Sequence, residues 1–220
     1  MKAKQNNLSP RNLLYYTGND IVSLISGDNI KSFNNERYIK KILSYNELMY
    51  FIQSGNKSFI PPLFWSCKES VYKILLQKGL KDSFSPVLFC VEVQKIELQL
   101  KNQSYLIEAL TQHENHTYFC RSIIENEYIH TCACDNQQAL DNVITYIEKL
   151  PDVSKINQSA LTYNLLLKSI SQYFSLDYLK LSVKKDHDGA PAIYYNNNLL
   201  NISFSVSHDD NFVSFVFLKK

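Results

Sequence analysis

The decisive stretch of this chain reads Trp65-Ser66-Cys67-Lys68-Glu69-Ser70-Val71-Tyr72-Lys73. Its spacing predicts a helix, because Trp65, Glu69 and Lys73 stand four residues apart and so fall on one stripe. Lys73 lies one turn beyond Glu69 and would direct its ammonium group toward the same place. Taken alone, such a pair is typical of a solvated ion pair on a protein surface.

A second segment, Gly18-Asn19-Asp20-Ile21-Val22, stands earlier in the chain. Asp20 follows closely on a glycine and precedes a β-branched pair, which is typical of a turn or of the end of a short strand. A carboxylate on a strand and another on a helix can together hold one hard cation. Because Mg²⁺ binds one or two carboxylates together with water and substrate phosphate oxygens, Asp20 and Glu69 are a candidate magnesium site.

The composition excludes several classes of protein. The 220 residues are 45% apolar and 13% aromatic, which is enough for the core of one ordinary domain or two small ones. The net charge of only +2 argues against a dedicated nucleic-acid binder, but it allows a local basic patch for an acidic partner. No segment has the length of a membrane span, and the residues after Met1 lack the apolar run of a signal peptide. We therefore expect a cytoplasmic globular protein that binds neither nucleic acid nor membrane.

The cysteines and histidines do not form a metal motif. The 5 cysteines are odd in number and lack the spacing of a disulfide framework, which fits a reducing compartment. Cys132 and Cys134 stand in an apolar run and are predicted to act as small hydrophobic residues on one face of a strand. The segment from His113 to His116 lies between two strand-like runs and predicts a hairpin turn.

The order of predicted elements indicates an α+β protein. Apolar periodicity predicts helices over residues 34–54, from about Phe64 to Gly79, over 137–150 and over 159–174, while short aromatic and β-branched strands fill 84–134 and 179–218. Helices followed by antiparallel strands thus occur twice, which predicts two similar halves, each with helices packed on a small antiparallel sheet.

Both opening segments resemble motifs of the 4'-phosphopantetheinyl transferase superfamily. That family carries a G-x-D-I-V/E element followed by a W-x-x-K-E-[AS]-x-x-K helix, and both occur here in that order. The stretch from Arg37 to Leu48 is similar to the family's intervening R-F-x-x-x-I-L/F-x-x-x-E-x segment. In the last third, Gly189-Ala190-Pro191 is similar to the G-[KR]-P turn, and Phe204-Ser205-Val206-Ser207-His208-Asp209 is similar to the S-x-S-H element.

The order of these motifs is informative in itself. In single-chain, surfactin-type members the elements of the last third come first, whereas the small holo-ACP-synthase type has the present order in much shorter, trimeric chains. The resemblance therefore implies a monomeric pseudo-dimer with circularly permuted halves. Residues 1–135 would carry the metal motifs, 136–158 would form a connecting helix or linker, and 159–220 would carry the motifs that bind coenzyme A.

The resemblance implies transfer of the 4'-phosphopantetheine arm of coenzyme A to a serine of an acyl, aryl or peptidyl carrier protein. Adenosine 3',5'-bisphosphate would be released. The site residues that it implies are Asp20 and Glu69 for Mg²⁺, Lys73 for the diphosphate or the serine proton, Lys68 for phosphate charge, Ser207 and His208 for phosphate oxygens, and Gly189 and Pro191 for the adenine pocket.

Two positions depart from the family pattern. Val22 replaces a third carboxylate, so a water or a substrate oxygen would have to complete the metal shell. Ala190 replaces the basic residue of the turn, and Lys184 or Lys185 are the nearest candidates for its charge.

Two other functions compete with this interpretation. A non-catalytic module that binds coenzyme A or a carrier protein would have no use for Asp20, Glu69 and Lys73, so their presence favours an enzyme. A Mg²⁺-dependent nucleotide hydrolase would need a water-activating base and more carboxylates. For Ser207 and His208, the residues alone are more typical of a β-turn cap, and the resemblance is what favours phosphate contact.

Overall fold

The structure is a computed structural model that describes residues 13–80, 82–99, 103–151, 157–185 and 190–218. Its helices are α1 (Gly27–Phe33), α2 (Glu36–Ile42), α3 (Tyr45–Gln53), α4 (Ile60–Gln77), α5 (Gln137–Leu140) and α6 (Gln158–Phe174). Its strands are β1 (Thr17–Ser23), β2 (Phe89–Gln99), β3 (Ser104–His113), β4 (His116–Ile124), β5 (Tyr128–Cys134), β6 (Val143–Lys149), β7 (Leu181–Lys185), β8 (Pro191–Tyr195), β9 (Asn198–Leu199), β10 (Phe204–Asp209) and β11 (Phe212–Leu218).

The N-terminal region, residues 17–134, is built on a five-stranded antiparallel sheet in the order β1-β5-β4-β3-β2. Helix α4 packs on this sheet and buries Phe64, Val71 and Ile74 in the main core. The helix begins at Ile60, before the predicted start near Phe64, because two prolines in its first turn fit positions where no N–H is needed. Beyond its end, Gly79 adopts a φ of 91°, which is the predicted left-handed cap.

The strands predicted over residues 84–134 are confirmed from Phe89 onward, whereas Pro86–Leu88 forms a 3₁₀ turn. Two predicted strands form the single strand β2, with an irregularity in register between Val93 and Lys95. The predicted hairpin is also confirmed, since His113 pairs with His116 and Glu114 between them has a φ of 53°. Strand β2 is an edge of the sheet and β1 is the other edge.

The C-terminal region, residues 143–218, contains two three-stranded antiparallel sheets, β10-β11-β6 and β7-β8-β9. Helix α6 packs against β10 and β11 and buries Leu166 and Ile170. The helix predicted over 137–150 is wrong beyond Leu140, because Val143–Lys149 forms strand β6 beside β11. Ile144 and Ile147 are β-branched, and their pairing with β11 outweighs the helical spacing of the segment.

The described residues thus form a mixed fold of six α-helices and several antiparallel sheets. The cysteines of this part are all free, and Cys132 and Cys134 pack with Leu140 and Val216, as predicted for small apolar residues. None of the helices described is long and apolar enough to cross a membrane.

The two regions meet where the edge strands β1 and β10 lie side by side. Alternate backbone N–H groups of β1 donate hydrogen bonds to side-chain oxygens of β10 and of Ser203, which directly precedes it. These bonds join Thr17 to Ser203 (2.8 Å), Asn19 to Ser205 (3.1 Å), Ile21 to Ser207 (3.3 Å) and Ser23 to Asp209 (2.8 Å). Both partners advance by two residues at each step, so the strands run in the same direction in one fixed register.

Candidate active site

A close approach of α4 to β1 creates the site. A Cβ atom added at Gly18 would lie 2.0 Å from the carbonyl oxygen of Ser70, so only glycine allows the helix to pack this closely. Ser66, one turn earlier, donates its hydroxyl to the carbonyl of Asp20 (3.4 Å). The small residues of both motifs therefore fix the distance at which the charged residues of α4 face Asp20.

Asp20 forms an ion pair with Lys73 in the site. Its Oδ1 atom accepts hydrogen bonds from Lys73 Nζ (3.2 Å) and from the hydroxyl of Ser207 (2.9 Å). Lys73 also donates to the backbone carbonyl of Asn19 (2.8 Å). The side chains of Lys73 and Asp20 are 25% and 10% exposed, so the pair is largely enclosed but open on one side.

Glu69 stands beside this pair as an electrostatically unfavourable carboxylate. Burial, and then the negative charge of Asp20, raise the pKa of Glu69 to about 7, while Lys73 opposes the shift. Burial, followed by the charge of Glu69, also raises the pKa of Tyr38 on α2. A cation between Glu69 and Asp20 would relieve this repulsion.

One cavity of about 440 Å³ contains these groups. Its wall combines Asp20, Glu69 and Lys73 of the N-terminal region with residues of the C-terminal region. The latter are Ser159 in the first turn of α6 and Val206, Ser207, His208 and Asp209 of β10. Five residues predicted for the site, namely Asp20, Glu69, Lys73, Ser207 and His208, thus line one cavity.

Lys68 does not lie at this cavity, and its prediction as a phosphate-binding residue is wrong. Its side chain is fully buried and pairs with Glu47 (2.6 Å), whose side chain is also fully buried. It also donates to the carbonyl of Ile42 (2.6 Å). Burial lowers the pKa of Lys68, and the charge of Glu47 opposes that shift. Lys68 lies on a different face of α4 from Glu69, and its burial and its two partners make it a structural residue.

Only one of the two residues predicted for an adenine pocket lies in the part of the chain that the structure describes. Gly189 lies outside the described residues. Pro191 opens β8, where it pairs with Lys185, and it is not among the residues that line the cavity.

Comparison with known proteins bears on residues 16–133, which match the family model of the 4'-phosphopantetheinyl transferase superfamily. This match spans more than half of the chain and contains Asp20, Glu69 and Lys73. The chain belongs to the 4'-phosphopantetheinyl transferase superfamily. Proteins of this superfamily use coenzyme A as a substrate and act on carrier proteins. Searches of curated proteins and of solved structures found no match to the chain.

Asp209 lines the cavity, although the sequence analysis does not assign it to the site. Its Oδ2 atom accepts from the backbone N–H of Ser23 (2.8 Å) and from the amide of Asn29 (2.5 Å). Burial raises the pKa of Asp209, while the Ser23 N–H and the Asn29 amide lower it. The sequence feature that could have identified Asp209 is its position directly after the predicted site residue His208. Asn29 carried no signal, since the short helix α1 that supplies it was not predicted.

A metal ion in this cavity would have few protein ligands. Among the residues that the structure describes, no group of three or more His, Cys, Asp or Glu side chains is arranged to hold a metal ion. Of the three carboxylates that line the cavity, Asp209 already accepts from Ser23 and Asn29 through Oδ2, which leaves Asp20 and Glu69 as the candidate ligands. Two carboxylates fit Mg²⁺, which keeps several waters and takes further oxygens from phosphate.

Proposed function

We propose that this protein transfers the 4'-phosphopantetheine arm of coenzyme A to a serine of an acyl, aryl or peptidyl carrier protein, with Mg²⁺, and releases adenosine 3',5'-bisphosphate. One observation carries the proposal. Asp20, Glu69 and Lys73 of the family-matched region share a cavity with Ser207 and His208 of β10.

Asp20 and Glu69 would hold the Mg²⁺. The pKa of Glu69, raised to about 7 by burial and by Asp20, supports this because the pair gains from a cation that neutralises both charges. Bound there, Mg²⁺ would withdraw charge from the reacting phosphorus and stabilise the leaving phosphate. Val22 supplies no third carboxylate, so the substrate and water would contribute the remaining oxygens.

Lys73 would bind a phosphate oxygen. An ammonium group has three N–H donors, of which one bonds the carbonyl of Asn19 and one bonds Asp20, so one is left for the substrate. Because Lys73 is already paired with a carboxylate, we assign it to phosphate contact and not to removal of the serine proton. The exposed imidazole of His208 and the first turn of α6 at Ser159 offer further donors at the cavity wall.

The reaction then depends mainly on positioning and charge neutralisation. The carrier serine oxygen would form a bond to the phosphorus next to the pantetheine, and the bond from that phosphorus to the bisphosphate would break. The serine proton would pass to a base or to water at the cavity. The adenine pocket at Gly189 and Pro191 stays a prediction, as does the cytoplasmic location, which the free cysteines support.

We further propose that a single chain forms a complete site as a permuted pseudo-dimer. Both regions of one chain line the cavity, and this supports an active monomer. Mixing Asp20→Ala with His208→Ala tests this: no activity should return. Restored activity, or a trimer in light scattering, would mean that sites are shared between chains.

Mass spectrometry of intact carrier proteins tests the function. The protein is incubated with coenzyme A, Mg²⁺ and apo forms of fatty-acid, polyketide and peptide carrier proteins. We expect a mass increase equal to the arm on one class, lost when the acceptor serine is alanine or when EDTA is present. Binding of coenzyme A with no transfer to any carrier and no release of the bisphosphate would favour the non-catalytic module.

A further inference from the structure

The junction between β1 and β10 is unusual because side chains replace backbone pairing. An edge strand presents unpaired N–H groups, which a neighbouring strand normally satisfies with its carbonyl oxygens. Here the four N–H groups of β1 that face β10 meet the side-chain oxygens of Ser203, Ser205, Ser207 and Asp209. We call these four contacts the hydroxyl ladder, although its last rung is a carboxylate.

The hydroxyl ladder fixes which side chain of β10 faces Asp20. Its serines are buried, with 2% of Ser203, 6% of Ser205 and 7% of Ser207 exposed. Ser203 also contacts α4, because its hydroxyl donates a hydrogen bond to Gln77 Oε1 (3.1 Å). Gln77 Nε2 in turn donates to the carbonyl of Thr17 on β1 (2.7 Å). A slip of one residue would turn every rung away from β1, so the register is strongly specified.

Ser207 is the only rung of the hydroxyl ladder that bonds Asp20 as well. A serine hydroxyl has one hydrogen to donate. Ser207 donates it to Asp20 Oδ1 (2.9 Å) and accepts the N–H of Ile21 (3.3 Å). No hydrogen remains for a phosphate oxygen in this arrangement.

The second oxygen of Asp20 stays available. Lys73 and Ser207 both bond Oδ1, whereas Oδ2 accepts no hydrogen bond from the described residues. Two donors on one oxygen orient the carboxylate and leave the other oxygen for a cation.

We infer that Ser207 is a positioning residue that orients the metal ligand Asp20, and not a phosphate ligand. This inference rests on the proposed function, because it concerns the metal that Asp20 would hold. It changes the role predicted for Ser207 while leaving His208, whose side chain is exposed, as the phosphate donor of β10.

Two binding measurements separate these roles without using the transfer reaction. The first is Mn²⁺ binding at saturating coenzyme A, followed by electron paramagnetic resonance. The second is coenzyme A binding in EDTA, followed by the fluorescence of Trp65, which lines the cavity and is the 1 tryptophan of the chain. Ser205→Ala is the matched control, because Ser205 is a buried rung that accepts the N–H of Asn19 and, among the described residues, donates no hydrogen bond to a site carboxylate.

We expect Ser207→Ala to weaken Mn²⁺ binding about tenfold and to change coenzyme A affinity in EDTA less than about twofold. Ser207→Thr keeps the hydroxyl and should bind both like the wild type. Ser205→Ala should lower the melting temperature and leave both affinities unchanged. If Ser207→Ala does not fold, Ser207→Cys provides the same comparison, since a thiol is only a weak donor.

Two results would overturn the inference. Weaker coenzyme A binding in EDTA with unchanged Mn²⁺ affinity would make Ser207 a phosphate ligand. Equal loss of Mn²⁺ binding in Ser205→Ala and Ser207→Ala would make its role merely structural. By contrast, a wild-type protein that binds neither coenzyme A nor Mn²⁺ would overturn the proposed function itself.

Discussion

Helix α4 carries two lysine–carboxylate pairs that differ in almost every physical respect. Lys68 and Glu47 are both 0% exposed in their side chains, whereas Lys73 and Asp20 are 25% and 10% exposed and line a cavity. The two lysines stand five residues apart in one motif, so the motif alone does not distinguish their roles. The comparison separates two faces of the same helix: a structural face that carries Lys68, and a chemical face that carries Glu69 and Lys73.

The buried pair is enclosed by protein, and both oxygens of the Glu47 carboxylate already accept hydrogen bonds. Glu47 Oε1 accepts the N–H of Val91 on β2 (2.7 Å), and Oε2 accepts the N–H of Ser44 (2.6 Å) as well as Lys68. The contact with Ser44 forms a capping box at the start of α3. The pair therefore connects α3, α4 and β2, and no ligand can reach it, because both side chains are fully buried. The open pair at Asp20 stands beside a second carboxylate and retains unused donors and acceptors.

The largest expected effect comes from the chemical face. Asp20→Asn and Glu69→Gln should each reduce transfer at least about 1000-fold, because each removes a metal ligand and its charge. Asp20→Asn should lower the free energy of unfolding by only about 1 to 2 kcal/mol, since the amide keeps the shape of the side chain. Glu69→Gln should not lower it at neutral pH without metal, because it removes a carboxylate whose ionised form is unfavourable in the folded state. Initial rates by intact-protein mass spectrometry measure the first quantity and urea unfolding measures the second. Glu92→Gln, at an exposed glutamate of β2, is the control, and near wild-type transfer by either site variant would contradict the metal assignment.

The next effect is on stability and concerns the structural face. Lys68→Met leaves the Glu47 carboxylate buried and unpaired, which should destabilise the protein by about 3 to 5 kcal/mol. Glu47→Gln combined with Lys68→Met should recover much of this loss, because it removes the unpaired charge while the amide oxygen can still accept a backbone N–H group. Urea unfolding checks both variants. If the single variant unfolds at the wild-type midpoint, Lys68 does not have the structural role assigned to it.

A smaller effect appears in the pH dependence of stability without metal. The pKa of Glu69 rises from 4.5 to about 7 on folding, so below pH 4.5 the group is neutral in both states and costs nothing. Between pH 4.5 and about 7, Glu69 ionises in the unfolded state but stays protonated in the folded state. The free energy of unfolding therefore falls as the pH rises, by on the order of 3 kcal/mol in total. Glu69→Gln should remove this loss. Urea unfolding of both proteins at pH 4.5, 6 and 8 measures it, and a constant difference across that range would contradict the shift.

The smallest effect concerns lysines that belong to neither pair. Lys40 and Lys41 are exposed on α2, and Lys41 lines a second cavity of about 320 Å³ with Arg37 and Tyr38. Carrier proteins are expected to be acidic, so reversing both charges should raise the apparent KM for the carrier several-fold and weaken its salt dependence. Stability should hardly change, because the Lys40–Glu36 pair is exposed. Lys95→Glu on β2 is the control, and an unchanged KM at low salt would exclude docking at α2.

Sequence reasoning found the open pair but misjudged the closed one, and the reason is physical. Asp20, Glu69 and Lys73 follow from helical spacing and from a resemblance whose motifs are local. Lys68 could be placed only with knowledge of Glu47, which stands 21 positions earlier and joins it through tertiary packing. The same limit explains β6, where pairing with β11 decides the conformation. Asn29 and the hydroxyl ladder depend likewise on contacts between distant segments.

The most direct test compares Lys73→Met with the double variant Glu47→Gln and Lys68→Met in one transfer assay. Rates are expressed per folded molecule, with the folded fraction determined from urea unfolding of the same preparations. The account predicts that the double variant transfers the arm within about threefold of the wild-type rate, while Lys73→Met is slower by about 100-fold or more. Equal rates for the two variants, or a greater loss in the double variant, would contradict the division of α4 into a structural and a chemical face.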